Sequence, residues 1–239
     1  MRRFWERAEA VPREGGWGVV LDGRPLRLPS GTTLSVPTRA LAEAIAEEWR
    51  SAGGAKGAEV RLAALGVTRV IATAIDRVAP DPEATVAALA KYGAADLLCY
   101  RAEFPPELAA RQAERWQPLL DWAALALDAP LAVTAGVVPV AQPPAALAAL
   151  RGALARRSPV ALAALGVAVP ALGSLVLGLA LAERRIGPEE AHALATLDEA
   201  FQAEEWGQDA EAAARLAAIA ADVRLAARIL ALDQPERVA

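Results

Sequence analysis

The feature that most constrains the fold of this chain is a long stretch without charged residues, from Val160 to Ala182. A stretch of this length could cross a lipid bilayer, or it could form a helix that is buried on all sides in a large helical domain. It is rich in Ala, Gly and Val, it contains Pro170, and no aromatic residue marks either end. These properties favour the buried helix. We therefore predict one core helix over 160–182 and no stable membrane insertion.

The composition argues against several classes of function. The 239 residues include 25 Lys and Arg against 29 Asp and Glu, a net charge of −4, which lacks the basic excess typical of nucleic-acid binding. One histidine, His192, and one cysteine, Cys99, cannot build a zinc site with several His or Cys ligands, nor an internal disulfide. The sequence also has no glycine-rich phosphate-binding motif. We predict no nucleic-acid partner, no metal and no cofactor.

The same two residues have ordinary interpretations as parts of a folded chain. His192 lies off the apolar face of its predicted helix, which indicates a surface position. Cys99 stands between Leu98 and Tyr100 and is typical of a small core residue. The nearby Arg101 leaves a reactive thiol as the alternative, because a cation favours the thiolate.

The N-terminal residues do not resemble a secretory leader. Charges recur throughout the first sixteen residues, so the continuous apolar core of a signal peptide is missing. A lone cysteine fits a reducing compartment. We expect the protein in the bacterial cytoplasm.

The beginning of the chain has the alternating pattern of β-strands. Trp17–Leu21 alternates, Asp22-Gly23 supplies a tight turn, and Leu26–Leu28 continues the alternation on the returning strand. Thr32–Val36 offers a third strand. From Thr38, a predicted helix N-cap, the apolar period becomes helical.

Helical periodicity then dominates to the end of the chain. Beyond the helix that starts after Thr38, we predict helices over Thr68–Val78, Asp81–Gly93, Pro106–Leu127 with a kink at Pro118, Ala145–Arg156, 160–182, Pro188–Trp206 and Asp209–Leu232, with β-like segments at Glu59–Leu62 and Leu131–Val140. The fold class is therefore α+β, a small N-terminal β domain followed by a larger α-helical domain. We place the β-rich domain, with one helix, at residues 1–66 and the helical domain at 67–239.

The strongest local charge lies between Glu183 and Glu211, where nine acidic residues face only two arginines in the sequence. An apolar stripe along the helix of this segment continues into Glu205 and ends at Trp206-Gly207. Three interpretations are open. The acids could be ordinary caps and solvated helix ends, they could surround an apolar partner-binding edge, or two of them could form a catalytic carboxylate pair.

Several segments in order resemble the ATP12 family. The matching pieces are RFW, DGRPL, the A-x-E-W end of the first helix, LLCYR and the late WG-x-D, and the likeness runs from Phe4 to about Arg215. The family fold is a small N-terminal β domain joined to a larger helical domain. The resemblance implies an assembly chaperone, not an enzyme, that holds the unassembled α subunit of F1-ATPase until the α/β ring forms. Its bacterial members act in the cytoplasm and its mitochondrial members in the matrix, and we expect a monomer.

The resemblance also implies which residues matter. The family's functional residues are the tryptophan that ends the first helix, which is Trp49 here, and the acidic residues around WG. In this chain the WG residues and their acidic neighbours are Glu204, Glu205, Trp206, Gly207, Asp209 and Glu211, and either of the last two could match the family's glutamate after WG. The alternative function is a small-molecule enzyme that uses an acidic cleft between the domains.

Overall fold

The computed structural model describes residues 1–136, 138–207 and 209–234. It confirms the α+β class, with a small antiparallel sheet near the N-terminus and helices over most of the remaining chain. The strands are β1 (Ala8–Arg13), β2 (Gly16–Leu21), β3 (Arg24–Pro25), β4 (Tyr100–Arg101) and β5 (Thr134–Ala135). The helices are α1 (Arg39–Ser51), α2 (Gly66–Thr73), α3 (Pro82–Ala94), α4 (Pro106–Leu127), α5 (Pro144–Ala155), α6 (Pro159–Leu172), α7 (Leu175–Ala182), α8 (Pro188–Ala195), α9 (Leu197–Trp206) and α10 (Ala210–Leu232).

The chain divides into two compact units. Unit 1 contains Met1–Pro82, Ser158–Ala164 and the residues from Arg228 onward, and unit 2 contains Glu83–Arg157 and Leu165–Ala227. Unit 1 is therefore assembled from both ends of the chain. Within it, the Thr38 hydroxyl donates a hydrogen bond of 2.6 Å to the carbonyl of Leu232. The domains expected at 1–66 and 67–239 stay a prediction.

The sheet of unit 1 contains a strand that the sequence did not indicate. β1 pairs antiparallel with β2 from Ala8 opposite Leu21 to Arg13 opposite Gly16. The alternation of apolar and polar residues in β1 is interrupted by Glu9, Pro12 and Arg13. A proline is tolerated in β1 because it is an edge strand. The predicted third strand over Thr32–Val36 is not a regular strand, since it makes only isolated bridges, such as Trp17 with Val36.

Helix α1 closes the core of unit 1. The Thr38 side chain accepts a hydrogen bond of 3.2 Å from the backbone N–H of Leu41, which confirms the predicted N-cap. Leu41 and Ile45 are fully buried, and Trp49 is 5% exposed. They lie on one helix face because their spacing is close to the helical period. The strand predicted at Glu59–Leu62 is wrong, since Glu59 forms a single bridge and Leu62 begins a short 3₁₀ turn.

The charge-free stretch is two helices, so the prediction of one helix is wrong. Gly173, with a φ of +63°, ends α6, and the Ser174 side chain accepts from the N–H of Leu177 to cap α7. All residues of α7 are buried, which confirms the core position. Within the described residues, no helix is long and apolar enough to cross a membrane.

Unit 2 otherwise follows the predicted helices with two differences. Helix α4 includes Pro118 and presents its predicted apolar face, with Leu108, Gln112 and Trp116 buried. The helix predicted over Pro188–Trp206 is wrong as one element, because the chain breaks at Thr196 into α8 and α9. The segment predicted as β-like over Leu131–Val140 contributes only β5, which pairs in parallel with β4; residue 137 lies outside the described residues.

Candidate functional site

The predicted acidic residues lie at an exposed turn between α9 and α10, which we call the acidic tip: Glu204, Glu205, Trp206, Gly207, Asp209 and Glu211. Trp206 is the last residue of α9 and is 81% exposed. The carboxylate residues of the tip are exposed as well. The apolar stripe of α9 thus leaves the core before Glu205, so this carboxylate needs no buried partner.

Backbone geometry defines the acidic tip on either side of residue 208, which lies outside the described residues. Gly207 has a φ of +80° and a ψ of 173°, a region that is almost restricted to glycine. Two residues later, the Asp209 side chain accepts a hydrogen bond of 2.8 Å from the N–H of Ala212 at the start of α10. Asp209 therefore caps α10, as one of the three interpretations of these acids allows, and Trp206 lies at the end of the helix before it.

Glu204 is the member of the tip that is tied to the body of unit 2. Its carboxylate accepts hydrogen bonds of 2.7 and 3.0 Å from Nη1 of Arg111, and this guanidinium holds the pKa of Glu204 below its usual value. The Arg111 guanidinium also lies 5.1 Å from the centre of the Phe201 ring. Glu204 therefore helps to position α9 and Asp209 caps α10, whereas Glu205, Trp206 and Glu211 are exposed.

Arginines outside the acidic segment neutralise more of it than the sequence suggested. Glu183 pairs with Arg157, Glu189 with Arg224 at 3.2 Å, and Glu199 with Arg215 at 3.2 Å. In the described part of the chain, Glu205, Asp209 and Glu211 make no ion pair. Of the five acids of this segment that make no ion pair with a described residue, three, Glu205, Asp209 and Glu211, lie around Trp206.

The start of α9 is anchored by a buried glutamine, Gln112. This role was not predicted from the sequence. Gln112 is 1% exposed; its Nε2 donates to Asp198 Oδ1 at 2.7 Å, and its Oε1 accepts from the N–H of Ala102 at 2.7 Å. Trp116 adds a hydrogen bond of 3.0 Å from its indole N–H to the carbonyl of Leu194. The signal was present in the sequence, because Gln112 interrupts an otherwise apolar face of α4 and a buried amide needs partners.

Trp49 lies in the core of unit 1, away from the acidic tip in the sequence and in a different unit. Its indole N–H donates to the Thr68 hydroxyl at 3.1 Å, and its carbonyl accepts from the Trp5 indole N–H at 2.9 Å. The two tryptophan rings are 4.8 Å apart between centres. These contacts give Trp49 a structural role in joining the N-terminal residues to α1 and α2.

The glutamate before Trp49 has its own role in the A-x-E-W sequence. The Glu48 carboxylate accepts hydrogen bonds from the backbone N–H groups of Val67 (2.6 Å) and Thr68 (2.8 Å), the first turn of α2. It supplies the acceptors and the negative charge that a helix N-terminus favours. Adjacent residues at the end of α1 thus dock α2 in two ways, by capping and by packing.

The two residues considered for chemistry are held in structural environments. Cys99 is buried, and desolvation raises the pKa of its thiol to about 12, so the core interpretation is supported over the reactive thiol. The His192 Nε2 lies 3.1 Å from the carbonyl of Leu216, so this partly buried ring contacts α10 and does not extend freely into solvent. Among the described residues, no group of His, Cys, Asp and Glu side chains could hold a metal ion.

An exposed tryptophan beside carboxylates without ion pairs is typical of the class of proteins that bind other proteins, because aromatic anchors within a charged rim dominate such interfaces. Comparisons with known proteins agree with this class. The family model described as ATP12 chaperone protein matches residues 2–124. The chain therefore belongs to the ATP12 chaperone family, the chaperones of ATP synthase assembly.

Solved and curated relatives cover most of the chain. The crystal structure of Atp12 from Paracoccus denitrificans is 47% identical, has a TM-score of 0.91 and covers 98% of both chains. The Atu1473 protein of Agrobacterium tumefaciens is 40% identical, with a TM-score of 0.91, over 98% of this chain and 86% of its own. The mitochondrial protein atp12 of Schizosaccharomyces pombe is 28% identical over 86% of this chain and 74% of its own length.

Proposed function

We propose that this protein binds the unassembled α subunit of F1-ATPase in the bacterial cytoplasm and prevents its aggregation until the α/β ring forms. The observation that carries the proposal is the acidic tip, where Trp206 is 81% exposed beside unpaired carboxylates. A subunit interface that awaits its partner presents apolar area with charged groups at its rim. Trp206 offers the apolar anchor, and Glu205 and Glu211 offer charge for arginines at that rim.

The tip is suited to holding a client and releasing it. A single exposed tryptophan buries a large area at little cost in conformational entropy, and exposed carboxylates mainly raise the encounter rate. A total interface of roughly 1,200–2,000 Å² would be enough for a specific complex. Because the charges stay near solvent, the complex should weaken with salt, and the permanent β partner can displace the chaperone.

The test is suppression of aggregation of purified α subunit, followed by light scattering without nucleotide. We expect the wild-type protein to suppress scattering at low salt, and Trp206→Ala or Glu205→Lys with Glu211→Lys to raise the concentration needed by about tenfold. Leu125→Ala and Glu14→Lys are matched controls, because Leu125 is 89% exposed on α4 and Glu14 is exposed on the turn after β1. Equal protection by the tip variants and the controls would contradict the assignment of the tip.

Further measurements test the client, the oligomeric state and the alternative function separately. If the wild-type protein protects the α subunit no better than an unrelated acidic helical protein does, the α-subunit function is wrong. A complex of one chaperone with one α subunit by analytical ultracentrifugation would support the expected monomer. The alternative, an enzyme with an acidic cleft, predicts turnover of a metabolite that a single carboxylate substitution abolishes.

A further inference from the structure

Unit 1 carries an apolar groove of about 660 Å³ that the acidic tip does not use. Buried side chains of the sheet and helices form its floor, including Leu26, Leu28 and Leu65. Phe4 and Leu62 stand at its edge and are 54% and 57% exposed. Two large apolar side chains so exposed beside an apolar depression are costly in water unless something covers them.

The rim of the groove has the opposite charge to the acidic tip. Arg24, Arg27 and Arg69 line it, whereas no aspartate or glutamate does. None of the three arginines forms an ion pair with any residue that the structure describes, although Arg27 donates one hydrogen bond to the carbonyl of Gly31. The protein as a whole has a net charge of −4, so this local excess of cations is not a consequence of its composition.

We propose that this groove is a second client site, which binds an apolar chain segment of the partner protein that carries acidic side chains at its ends. The proposal rests on the proposed function in one respect, since the segment belongs to the protein that the chaperone holds. The segment's apolar side chains would cover Phe4 and Leu62. Its carboxylates would pair with Arg24, Arg27 and Arg69, none of which has an acidic partner among the described residues.

Shape and charge together favour a protein segment as the occupant. The groove is open to solvent on one side, so a peptide can keep its backbone polar groups in water while its side chains enter. Its volume lies within the range of about 300–1,000 Å³ that suits a ligand of several side chains or a drug-sized molecule. The three arginines come from two segments, the chain at and after β3 (Arg24, Arg27) and helix α2 (Arg69), so they can pair with several carboxylates, which a segment with acidic residues at both ends supplies and a molecule with one charged head does not.

The first experiment measures binding of a fluorescent, capped leucine-alanine peptide with two aspartates at each end to the full chain by anisotropy. The control peptide has the same core with two arginines at each end. We expect the acidic peptide to bind at least about tenfold more tightly at low salt, and the difference to shrink at high salt. Equal affinity of the two peptides would overturn the proposal.

Substitutions in the groove test whether the acidic peptide binds there. Arg24→Glu with Arg69→Glu should weaken the acidic peptide by about tenfold, whereas the control Arg77→Glu with Arg115→Glu, two exposed arginines outside the groove and an equal change of charge, should not. Leu62→Ser should weaken both peptides, and Leu125→Ser should weaken neither. Unchanged binding by the groove variants, with unfolding curves like the wild type, would overturn the proposal.

Two outcomes distinguish a client site from an acyl-chain site and from a groove that does not bind the client. If oleate saturates the wild-type groove with one molecule per chain and the acidic peptide does not compete, the site is one for an acyl chain and the proposal is wrong. If the wild-type protein protects the α subunit and the Arg24→Glu, Arg69→Glu variant protects it equally well, the groove is not a client site while the proposed function stands. Loss of protection in that variant, together with loss of the acidic peptide, supports both.

Discussion

Asp96 is fully buried in unit 2, where its carboxylate holds the start of α7. Its Oδ1 accepts hydrogen bonds from the Ser174 hydroxyl (2.7 Å) and the N–H of Leu98 (3.1 Å), and its Oδ2 accepts from the N–H of Val176 (3.0 Å). Desolvation outweighs these hydrogen bonds and raises the pKa of Asp96 from 3.8 to about 6. The folded protein therefore binds a proton at Asp96 more tightly than the unfolded chain does.

This difference sets both the sign and the size of a pH effect on stability. One pKa unit corresponds to about 1.4 kcal/mol, so the separation between 3.8 and about 6 corresponds to about 3 kcal/mol. Because the folded pKa of Asp96 is the higher one, the free energy of unfolding gains about 2.4 kcal/mol as the pH falls from about 7 to about 4, and the full difference of about 3 kcal/mol is reached only well below pH 3.8. Above the folded pKa the ionised, buried carboxylate makes no such contribution.

The measurement compares wild type with Asp96→Asn, which cannot titrate at this position. Urea unfolding of both proteins is followed by tryptophan fluorescence at several pH values between 7 and 4. Exposed carboxylates that are common to both proteins cancel in the difference. We expect the free energy of unfolding of wild type, relative to the variant, to rise by about 2.4 kcal/mol as the pH falls from 7 to 4. A difference that is constant, or that falls toward low pH, would contradict a raised pKa of Asp96 in the folded protein.

Three other positions, Trp49, Gly178 and Cys99, give tests of the packing in the core. Trp49→Arg should lower the free energy of unfolding by at least about 4 kcal/mol, because it removes a core indole and buries a charge, and Trp49→Phe should lower it by less. A urea transition of Trp49→Arg at the wild-type midpoint would contradict this. Gly178→Ala should also lower the midpoint of thermal unfolding, because the added Cβ would lie 2.5 Å from Val169 Cγ2. An unchanged midpoint would show instead that α6 and α7 can move apart without cost. Cys99 should react with a thiol reagent only after unfolding, because its pKa is raised to about 12, and rapid labelling of the native protein would disagree.

Periodicity predicted the elements whose apolar side chains repeat without interruption. It located α1 with its Thr38 cap, and the buried face of α4 that contains Trp116. It failed where a single residue decides the outcome, as at Gly173, whose positive φ divides the charge-free stretch. β1 was missed because an edge strand with one weakly apolar face has little alternation to detect.

The candidate site was predictable in its exposed parts and not in its supports. Trp206 could be placed at the end of a helix from its Trp-Gly sequence, but its exposure could not, because a tryptophan is as often buried, as Trp5 and Trp116 are here. The pairing of Glu204 with Arg111 joins residues far apart in the sequence, and the groove in unit 1 is formed by separate segments. Contacts of this kind depend on the tertiary arrangement, which local patterns do not encode.

The hydrogen bond from Thr38 to the carbonyl of Leu232 spans 194 residues and lies within unit 1. During synthesis, the ribosome makes the sheet and α1 before it makes the end of α10. Unit 1 therefore gains this contact only after α10 has been translated, and until then the Thr38 hydroxyl lacks the Leu232 carbonyl as its acceptor. A premature stop before Arg228 would leave unit 1 without the end of α10.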